Sequence, residues 1–299
     1  MTWIALSLFA AAFQTLRFML QKTLSSGALS AGGATLARFF YSMPFVISLA
    51  VGYFLWSGAA WPELAASFWI YSTIGGVAQI LATWCVVAIF AHRNFAVGIT
   101  FKKSEVIQTA LVGFVILGDT ISLWGLGAIA LGLFGVLVLS ESQVETGGLA
   151  RRILNKSAGL GLLSGTFFAI SAVCYRGATL TVVSDDVFLR AITALAIVTS
   201  FQTLALSAWL SWFERGELAR VIAARKTAVW MGLTGLGGSI CWFTAFTLQN
   251  AAYVFAVGQV EVIFSIAASV LFFGERITRK EFTGIGFLSL SILTLVVLS

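Results

Sequence analysis

The sequence predicts an all-α integral membrane protein with ten transmembrane helices, arranged as two inverted five-helix repeats. Three observations carry this prediction: the composition, the lengths of the apolar stretches and an internal repeat. Of the 299 residues, 59% are hydrophobic and only 10% are charged. A soluble domain carries about 25% charged residues, so this chain has too few to cover a surface that faces water.

The apolar stretches have the lengths that a bilayer requires. A hydrocarbon core of about 30 Å is crossed by about 20 helical residues. Ten stretches meet this condition: residues 3–22, 35–56, 68–90, 95–118, 121–140, 158–178, 187–211, 227–247, 250–273 and 280–298. A longer connection at 141–157 separates a first repeat, 1–140, from a second, 158–299, and another connection is expected at 212–226.

An internal repeat relates the two halves. When the sequence is shifted by 156 residues, matched pairs include Cys85 with Cys241 and Glu105 with Glu261. Because each half contains an odd number of spans, the second copy enters the membrane in the opposite orientation. Inverted repeats are typical of secondary transporters, whose binding site lies near the bilayer midplane between the repeats.

The basic residues predict the orientation in the membrane. They collect on one side, at Lys22, Arg151, Arg152, Lys156, Arg215, Arg220, Arg225 and Lys226. The positive-inside rule makes that side cytoplasmic. Both termini are then expected outside the cytoplasm, and the expected location is the plasma (bacterial inner) membrane.

Two repeat-related glutamates lie inside predicted spans. Glu105 is the eleventh residue of 95–118 and Glu261 the twelfth of 250–273. Each therefore lies about 15 Å from its helix start, near mid-bilayer. An ionisable residue at this depth must face protein or water and marks a candidate functional site. The structural alternative is an ion pair with a nearby base, such as Lys102 three residues before Glu105.

The lysines beside the first glutamate are the next candidates for substrate contact. Lys102 and Lys103 point about 100° apart on a helix, so they cannot both face one spot. Lys102 shares a face with Glu105 and is the preferred cavity residue. Gln259 is the repeat equivalent of Lys103 and adds a polar position at the same depth.

A polar stripe marks the first span. Gln14, Arg17 and Gln21 lie on one face of it and must contact protein or water, because lipid offers them no partner. Its counterpart on the sixth span is the milder stripe Ser164, Phe168, Ser171 and Tyr175. Tyr175 is a candidate substrate contact, and helix packing is the alternative role of this stripe.

Two further pairs occupy similar places in the two halves. Trp84 and Trp242, deep in the third and eighth spans, are candidate aromatic walls of the cavity, with core packing as the alternative. Arg38 and Arg190 open the second and seventh spans on opposite sides of the membrane. They either cap or bridge helix ends or guard the two mouths of the cavity.

The overall pattern resembles a known group of carriers. Ten spans, the five-plus-five repeat and the ending "LFFGERITRKEFTGIGFLSLSILTLVV" are similar to the drug/metabolite transporter superfamily, in particular its EamA-type members. Gly274-Glu275 is the most specific piece, and "LGDTISLWGLGAIALGLFGVLVL" is a weaker copy in the first half. The chain lacks the proline that such proteins often carry in helices 4 and 9. The resemblance implies a small-metabolite carrier, often an exporter of amino acids or related compounds.

The buried charges favour one class of cargo. Arg17, Lys102 and Lys103 outnumber Glu105 and Glu261, so an anionic or zwitterionic metabolite is expected, with carboxylate or phosphate as the recognised group. Either glutamate can hold a substrate ammonium or titrate in a cycle coupled to protons. One alternative is a proton-coupled cation or drug exporter. Another, from a different class, is a lipid-handling or non-transporting membrane protein.

Other functions are not supported by the sequence. It contains no Walker motif, no His-Glu-x-x-His and no Gly-x-Ser-x-Gly, so neither an ATP-driven pump nor an enzyme is expected. The three cysteines lie in apolar runs and His92 is the single histidine, so no metal site and no cofactor are predicted. The expected partners are a small-molecule substrate and the lipid bilayer, with no nucleic acid, and the expected state is a monomer or weak homodimer.

Overall fold

The computed structural model describes residues 1–25, 27, 29–59, 61–90, 101–141, 156–264, 267 and 279–298. Within these ranges the chain is helical, apart from turns and one isolated antiparallel bridge between Leu64 and Val182. The helices in chain order are α1 (Thr2–Ser25), α2 (Ala31–Ser57), α3 (Ala66–Phe90), α4 (Glu105–Leu117), α5 (Leu123–Glu141), α6 (Lys156–Thr181), α7 (Val187–Phe213), α8 (Glu217–Ala223), α9 (Arg225–Leu248), α10 (Ala251–Gly258) and α11 (Arg279–Leu298).

The helices have the length and surface of a multi-pass membrane protein. Among the described residues, six helices are long and apolar enough to cross a membrane: α1, α2, α3, α6, α7 and α9. Shorter apolar helices lie at α4, α5, α10 and α11. Large apolar side chains face outward, with Leu55 and Trp56 each 80% exposed, an arrangement that suits lipid and not water.

Each of the ten predicted spans overlaps one of these helices. Residues 95–100 at the start of the fourth span, most of 265–278, which includes the end of the ninth span, and residues 142–155 of the first connection lie outside the described residues. The Gly274-Glu275 pair falls among them. The second predicted connection, 212–226, contains the short helix α8.

Two spans that the sequence predicts as continuous helices contain a turn. Helical residues 101–102 are followed by a turn at 103–104 before α4 begins, and α10 is followed by a turn at 259–260 before the helix resumes at 261–264. In each turn a backbone amide binds the carbonyl three residues back, from Ser104 N to Phe101 O and from Val260 N to Val257 O, both 3.1 Å. The turns are 156 residues apart, so they fall at equivalent places in the sequence repeat. A 3₁₀ turn inside a helix often marks a functional position.

Close helix pairs build the bundle. The main ones are α3 with α6, α1 with α9, α2 with α7 and α5 with α11. Small residues bring the backbones together, as is usual in membranes. A Cβ at Gly75 on α3 would lie 2.8 Å from the Tyr175 ring on α6, and one at Gly237 on α9 would lie 2.9 Å from the Phe13 ring on α1.

Replacing Gly135 by alanine is expected to loosen the α5–α11 pair. The new Cβ would lie 2.9 Å from both the carbonyl oxygen of Gly284 and the amide nitrogen of Leu288. Because these are backbone atoms, α11 must shift, and such overpacking costs about 1–3 kcal/mol. A lower melting temperature in detergent would report the loss. Gly127→Ala on the same helix is the matched control, since no heavy atom lies within 4 Å of its Cβ position. Equal melting of the two variants would contradict the packing described.

Candidate functional site

A small polar cavity lies inside the bundle. Its volume, counted as the space open to the centre of a water molecule, is about 30 Å³, which is room for about two waters. Six of the substrate contacts predicted from the sequence line it: Gln14, Arg17, Lys102, Glu105, Tyr175 and Trp242. The cavity therefore gathers side chains from α1, α4, α6 and α9 and from the helical residues 101–102 before the turn.

Lys102 and Glu105 form a buried ion pair on the cavity wall. The ammonium nitrogen lies 2.9 Å from the carboxylate, and the two residues are 2% and 4% exposed. The ammonium also lies 4.8 Å from the centre of the Phe168 ring, a distance suited to a cation–π contact. The structure thus contains both the ion pair that the structural alternative predicts and the position on the cavity that substrate contact requires.

Arg17 and Arg38 bring two guanidinium groups to the same cavity. Arg17 Nη1 donates to Gln21 Oε1 at 3.3 Å, while Arg38 donates to Thr83 Oγ1 at 3.3 Å and to Ser239 Oγ at 3.4 Å. All of these acceptors are neutral. Throughout the described part of the chain, no carboxylate lies within ion-pair distance of either arginine.

The two arginines lie side by side because of a glycine. A Cβ at Gly235 on α9 would lie 3.3 Å from Arg38 Cγ and 3.4 Å from Arg17 Cδ. Both side chains therefore pass over the same small residue. Arg17 is 2% exposed and Arg38 is 5% exposed. Two buried like charges with no carboxylate of the described residues at ion-pair distance are costly, so an anion is the natural partner for this pair.

The sequence places Arg38 at a helix end or a cavity mouth, and the structure places it elsewhere. Since α2 begins at Ala31, after the cap at Ser30, Arg38 lies in the third turn and reaches the cavity. Arg190, its counterpart, does not line the cavity. Its Nε donates to the carbonyl oxygen of Thr179 at 2.8 Å, in the last turn of α6, which is the capping arrangement.

A second polar group lies directly behind the cavity wall. Glu261 Oε2 accepts from Gln14 Nε2 at 2.8 Å and lies 3.3 Å from Lys103 Nζ. Because Lys103 precedes α4 and Glu261 follows α10, this pair joins the two halves of the chain. Gln14 touches both the cavity and Glu261. Gln259 donates to the carbonyl oxygen of Phe255 at 3.3 Å and does not line the cavity.

Aromatic and amide side chains complete the wall. The Tyr175 ring stacks on Phe243 with centres 4.4 Å apart, and its hydroxyl donates to Gln79 Oε1 at 3.0 Å. Gln202 Nε2 donates to the same Gln79 oxygen at 2.9 Å. Sequence reasoning missed both glutamines. The sequence does contain a signal for them, because each is a lone glutamine inside a predicted apolar span.

The two predicted aromatic walls have different positions. Trp242 lines the cavity and stacks on Phe246 with ring centres 5.8 Å apart. Trp84 instead packs against Trp209 on α7, with ring centres 4.9 Å apart, and is not a lining residue. For Trp84 the core-packing alternative describes the structure.

The chemistry available in the cavity is charge recognition and hydrogen bonding. Three cations, Arg17, Arg38 and Lys102, face one carboxylate, Glu105. Among the residues that the structure describes, no group of three or more histidine, cysteine or acidic side chains is placed to hold a metal ion.

Part of the chain is similar to known membrane transporters. Residues 155–297 match the EamA-like transporter family. A 140-residue stretch is 25% identical to a protein of Sinorhizobium sp. described as "Uncharacterized transporter in cobO 3'region", covering 46% of this chain and 93% of that protein. A solved structure, described only as "Crystal structure of protein", has a TM-score of 0.65 and 12% identity over 97% of this chain and 99% of that one. At this identity the likeness concerns the fold alone. The resemblance that the sequence predicts is confirmed.

Proposed function

We infer that this member of the drug/metabolite transporter superfamily, which carries an EamA-like transporter domain, is a membrane transporter and not an enzyme. We propose that it is a secondary transporter, working as an exporter, of a small anionic or zwitterionic metabolite such as an amino acid or organic acid. One observation carries the proposal: Arg17 and Arg38 are buried side by side on the cavity and have only neutral hydrogen-bond partners.

The charges of the cavity favour an anionic group. The ammonium of Lys102 is already compensated by Glu105 at 2.9 Å, so the excess positive charge belongs to the two arginines. Guanidinium groups bind carboxylate and phosphate oxygens through paired, charge-assisted hydrogen bonds. A zwitterion would add an ammonium, for which the Glu105 carboxylate lies on the same wall.

The helix pairs support two inverted repeats, 1–140 and 158–299. In the sequence repeat, α1 is equivalent to α6, α2 to α7, α3 to α9 and α5 to α11. If each helix is replaced by its equivalent, the α3–α6 pair becomes the α9–α1 pair, while the α2–α7 and α5–α11 pairs stay the same. The starts of α2 and α7, at Ala31 and Val187, are 156 residues apart, as are those of α5 and α11. This is the arrangement expected when two copies of one unit face each other across a central site.

The size of the cavity supports alternating access. Pockets for drug-sized ligands have volumes of about 300–1,000 Å³, whereas this cavity measures about 30 Å³. A metabolite can enter only if the helices around the cavity move apart. Protons are the proposed coupling ion, and the side with Lys22 and Arg225 is the proposed cytoplasmic side, which puts both termini outside.

Solute counterflow in proteoliposomes tests the function, with amino acids, organic anions, phosphorylated metabolites and quaternary amines as competitors. Anions or zwitterions are expected to compete. Lys102→Gln is expected to weaken that competition about tenfold, because it leaves the buried Glu105 carboxylate without its partner and lowers the net positive charge of the cavity.

Lys226→Gln is the matched control, since Lys226 is an exposed lysine. Competition by quaternary amines alone would instead indicate a cation exporter. If the purified protein exchanges none of the four classes of solute, the transport proposal is wrong, and a lipid-handling or non-transporting role is favoured.

A further inference from the structure

The antiparallel helices α2 and α7 are capped at equivalent places in the repeat. Ser30 is the N-terminal cap of α2 and Asp186 the N-terminal cap of α7. These two residues are 156 positions apart, which is the offset of the sequence repeat. At each cap, a side chain from the far end of the other helix, or from just beyond it, binds the capping residue. The α2–α7 pair is therefore tied at both ends by related contacts.

The first contact, which we call the Ser30 latch, consists of Ser30, Glu214 and Glu217. Ser30 donates its backbone amide to Glu217 Oε1 and its hydroxyl to Glu214 Oε2, both at 2.5 Å. Glu217 is fully buried, and Arg220 Nη2 lies 2.6 Å from its other oxygen. The carboxylates lie at the N-terminus of α2, where the helix dipole favours negative charge.

A glycine makes room for the Ser30 latch. A Cβ at Gly33 would lie 2.8 Å from the carboxyl carbon of Glu217, so any larger residue must push this side chain away. The amide of Gly33 also donates to Ser30 Oγ at 3.0 Å. Gly33 is thus explained by the approach of the segment that follows α7.

The second contact, which we call the Asp186 latch, lies at the opposite end. Tyr53 donates its hydroxyl to Asp186 Oδ2 at 2.5 Å, while Asp186 Oδ1 accepts from the amides of Phe188 and Leu189 at 2.8 and 3.1 Å. Burial acts to raise the pKa of Asp186, but these three hydrogen bonds outweigh it and lower the pKa below its usual value. The carboxylate is therefore charged at neutral pH.

The cavity lies between the latches. Along α2, Arg38 is eight residues from Ser30 and fifteen from Tyr53, which is about 12 Å and about 22 Å of helix. Each latch joins the first half of the chain to the second at one face of the membrane. Resting on the transport function proposed above, we propose that the Ser30 and Asp186 latches are the two gates of the cavity and that they open in turn.

The repeat gives the reason for alternation. If one half rocks against the other about the central site, the ends of α2 and α7 separate on one face while they close on the other. Both latches are formed in this structure, and its cavity is small. In this proposal, the structure is the state with both latches formed, from which release of one latch leads to opening on that face.

Labelling of a cavity cysteine from each side tests the proposal. The reporter is Ser171→Cys on the cavity wall, in a chain whose three native cysteines are replaced, reconstituted in one orientation and treated with a membrane-impermeant maleimide. Gly33→Ala is expected to raise the labelling rate from the Ser30 side about tenfold, the change for loss of one charge-assisted hydrogen bond. Glu217→Gln is the second variant, with the same expected direction.

Tyr53→Phe is expected to raise the rate from the Asp186 side alone, because it removes the hydroxyl that binds Asp186. The matched control is Gly52→Ala on the same helix, since its Cβ would have no neighbour within 4 Å. Rates equal to the control, or a gain on both sides in any latch variant, would overturn the proposal.

This readout is independent of solute flux. If labelling is one-sided but the protein exchanges no solute, the latches are gates of the cavity and the proposed transport function is wrong. If the protein shows counterflow but the latch variants are labelled at the rate of Gly52→Ala, the transport function stands and the gating role of the latches is wrong.

Discussion

Replacing Arg17 by glutamine is expected to weaken the binding of an anionic substrate by about 10- to 100-fold, the loss of one hydrogen-bonded charge contact. The substrate-free protein is expected to melt no lower than the parent. Among the described residues, the Arg17 guanidinium donates to the neutral Gln21 and lies 4.3 Å from the centre of the Phe18 ring. Because Arg38 lies beside it, removal of Arg17 relieves repulsion and breaks no ion pair. Thermal shift in detergent, with and without the anion found by counterflow, measures both effects.

The melting temperature without substrate and the shift caused by substrate together distinguish a binding role of Arg17 from a structural one. If Arg17 serves to hold the bundle together, the variant melts lower without substrate and Arg17→Lys restores the melting temperature. If Arg17 binds substrate, the Arg17→Gln variant keeps the melting temperature of the parent without substrate and loses the shift that substrate causes. Lys226→Gln is again the control, because it removes an exposed positive charge and is expected to change neither quantity.

Removing the Glu261 carboxylate is expected to have the largest effect on stability. Glu261→Leu leaves Lys103, which is 3% exposed, without the carboxylate now 3.3 Å from its ammonium. It also takes the acceptor from Gln14. Breaking one partner out of a buried pair costs about 3–5 kcal/mol. Unfolding in detergent by denaturant, followed by circular dichroism, measures the free-energy change.

The double variant Lys103→Met with Glu261→Leu is the decisive comparison. Without either charge no buried ion is left unpaired at this contact, so the double variant is expected to recover most of the stability lost by Glu261→Leu alone. Losses that simply add would show that the two residues are not coupled. Glu63→Gln removes an exposed carboxylate and is the control for loss of a negative charge.

The sequence by itself determined the membrane class, the position of most helices and the burial of two charged residues. Apolar length places a helix in a bilayer whatever its neighbours are, because the solvent acts on each segment separately. For the same reason one sequence predicted that Glu105 and Lys102 face the protein interior, and both are buried. The match of residues 155–297 to a transporter family agrees with that prediction.

The sequence also pointed to the repeat, and with it to Glu261. It did not predict the turns at 103–104 and 259–260, which occur without proline. At these turns Lys103 pairs with Glu261 from the other half of the chain. A long-range pair of this kind has no signal in the local pattern.

Only the tertiary structure decided which face of each helix meets the cavity. In α2, α3 and α9 both the lipid-facing and the protein-facing sides are apolar, so the pattern along the chain does not give the rotation of the helix about its axis. Arg38 therefore reaches the cavity and Trp84 does not, whereas the sequence left core packing open for Trp84 and placed Arg38 at a helix end or a cavity mouth. What sets these rotations is the close contact of small residues, as at Gly235 beneath both arginines. Such contacts exist only once two helices have met.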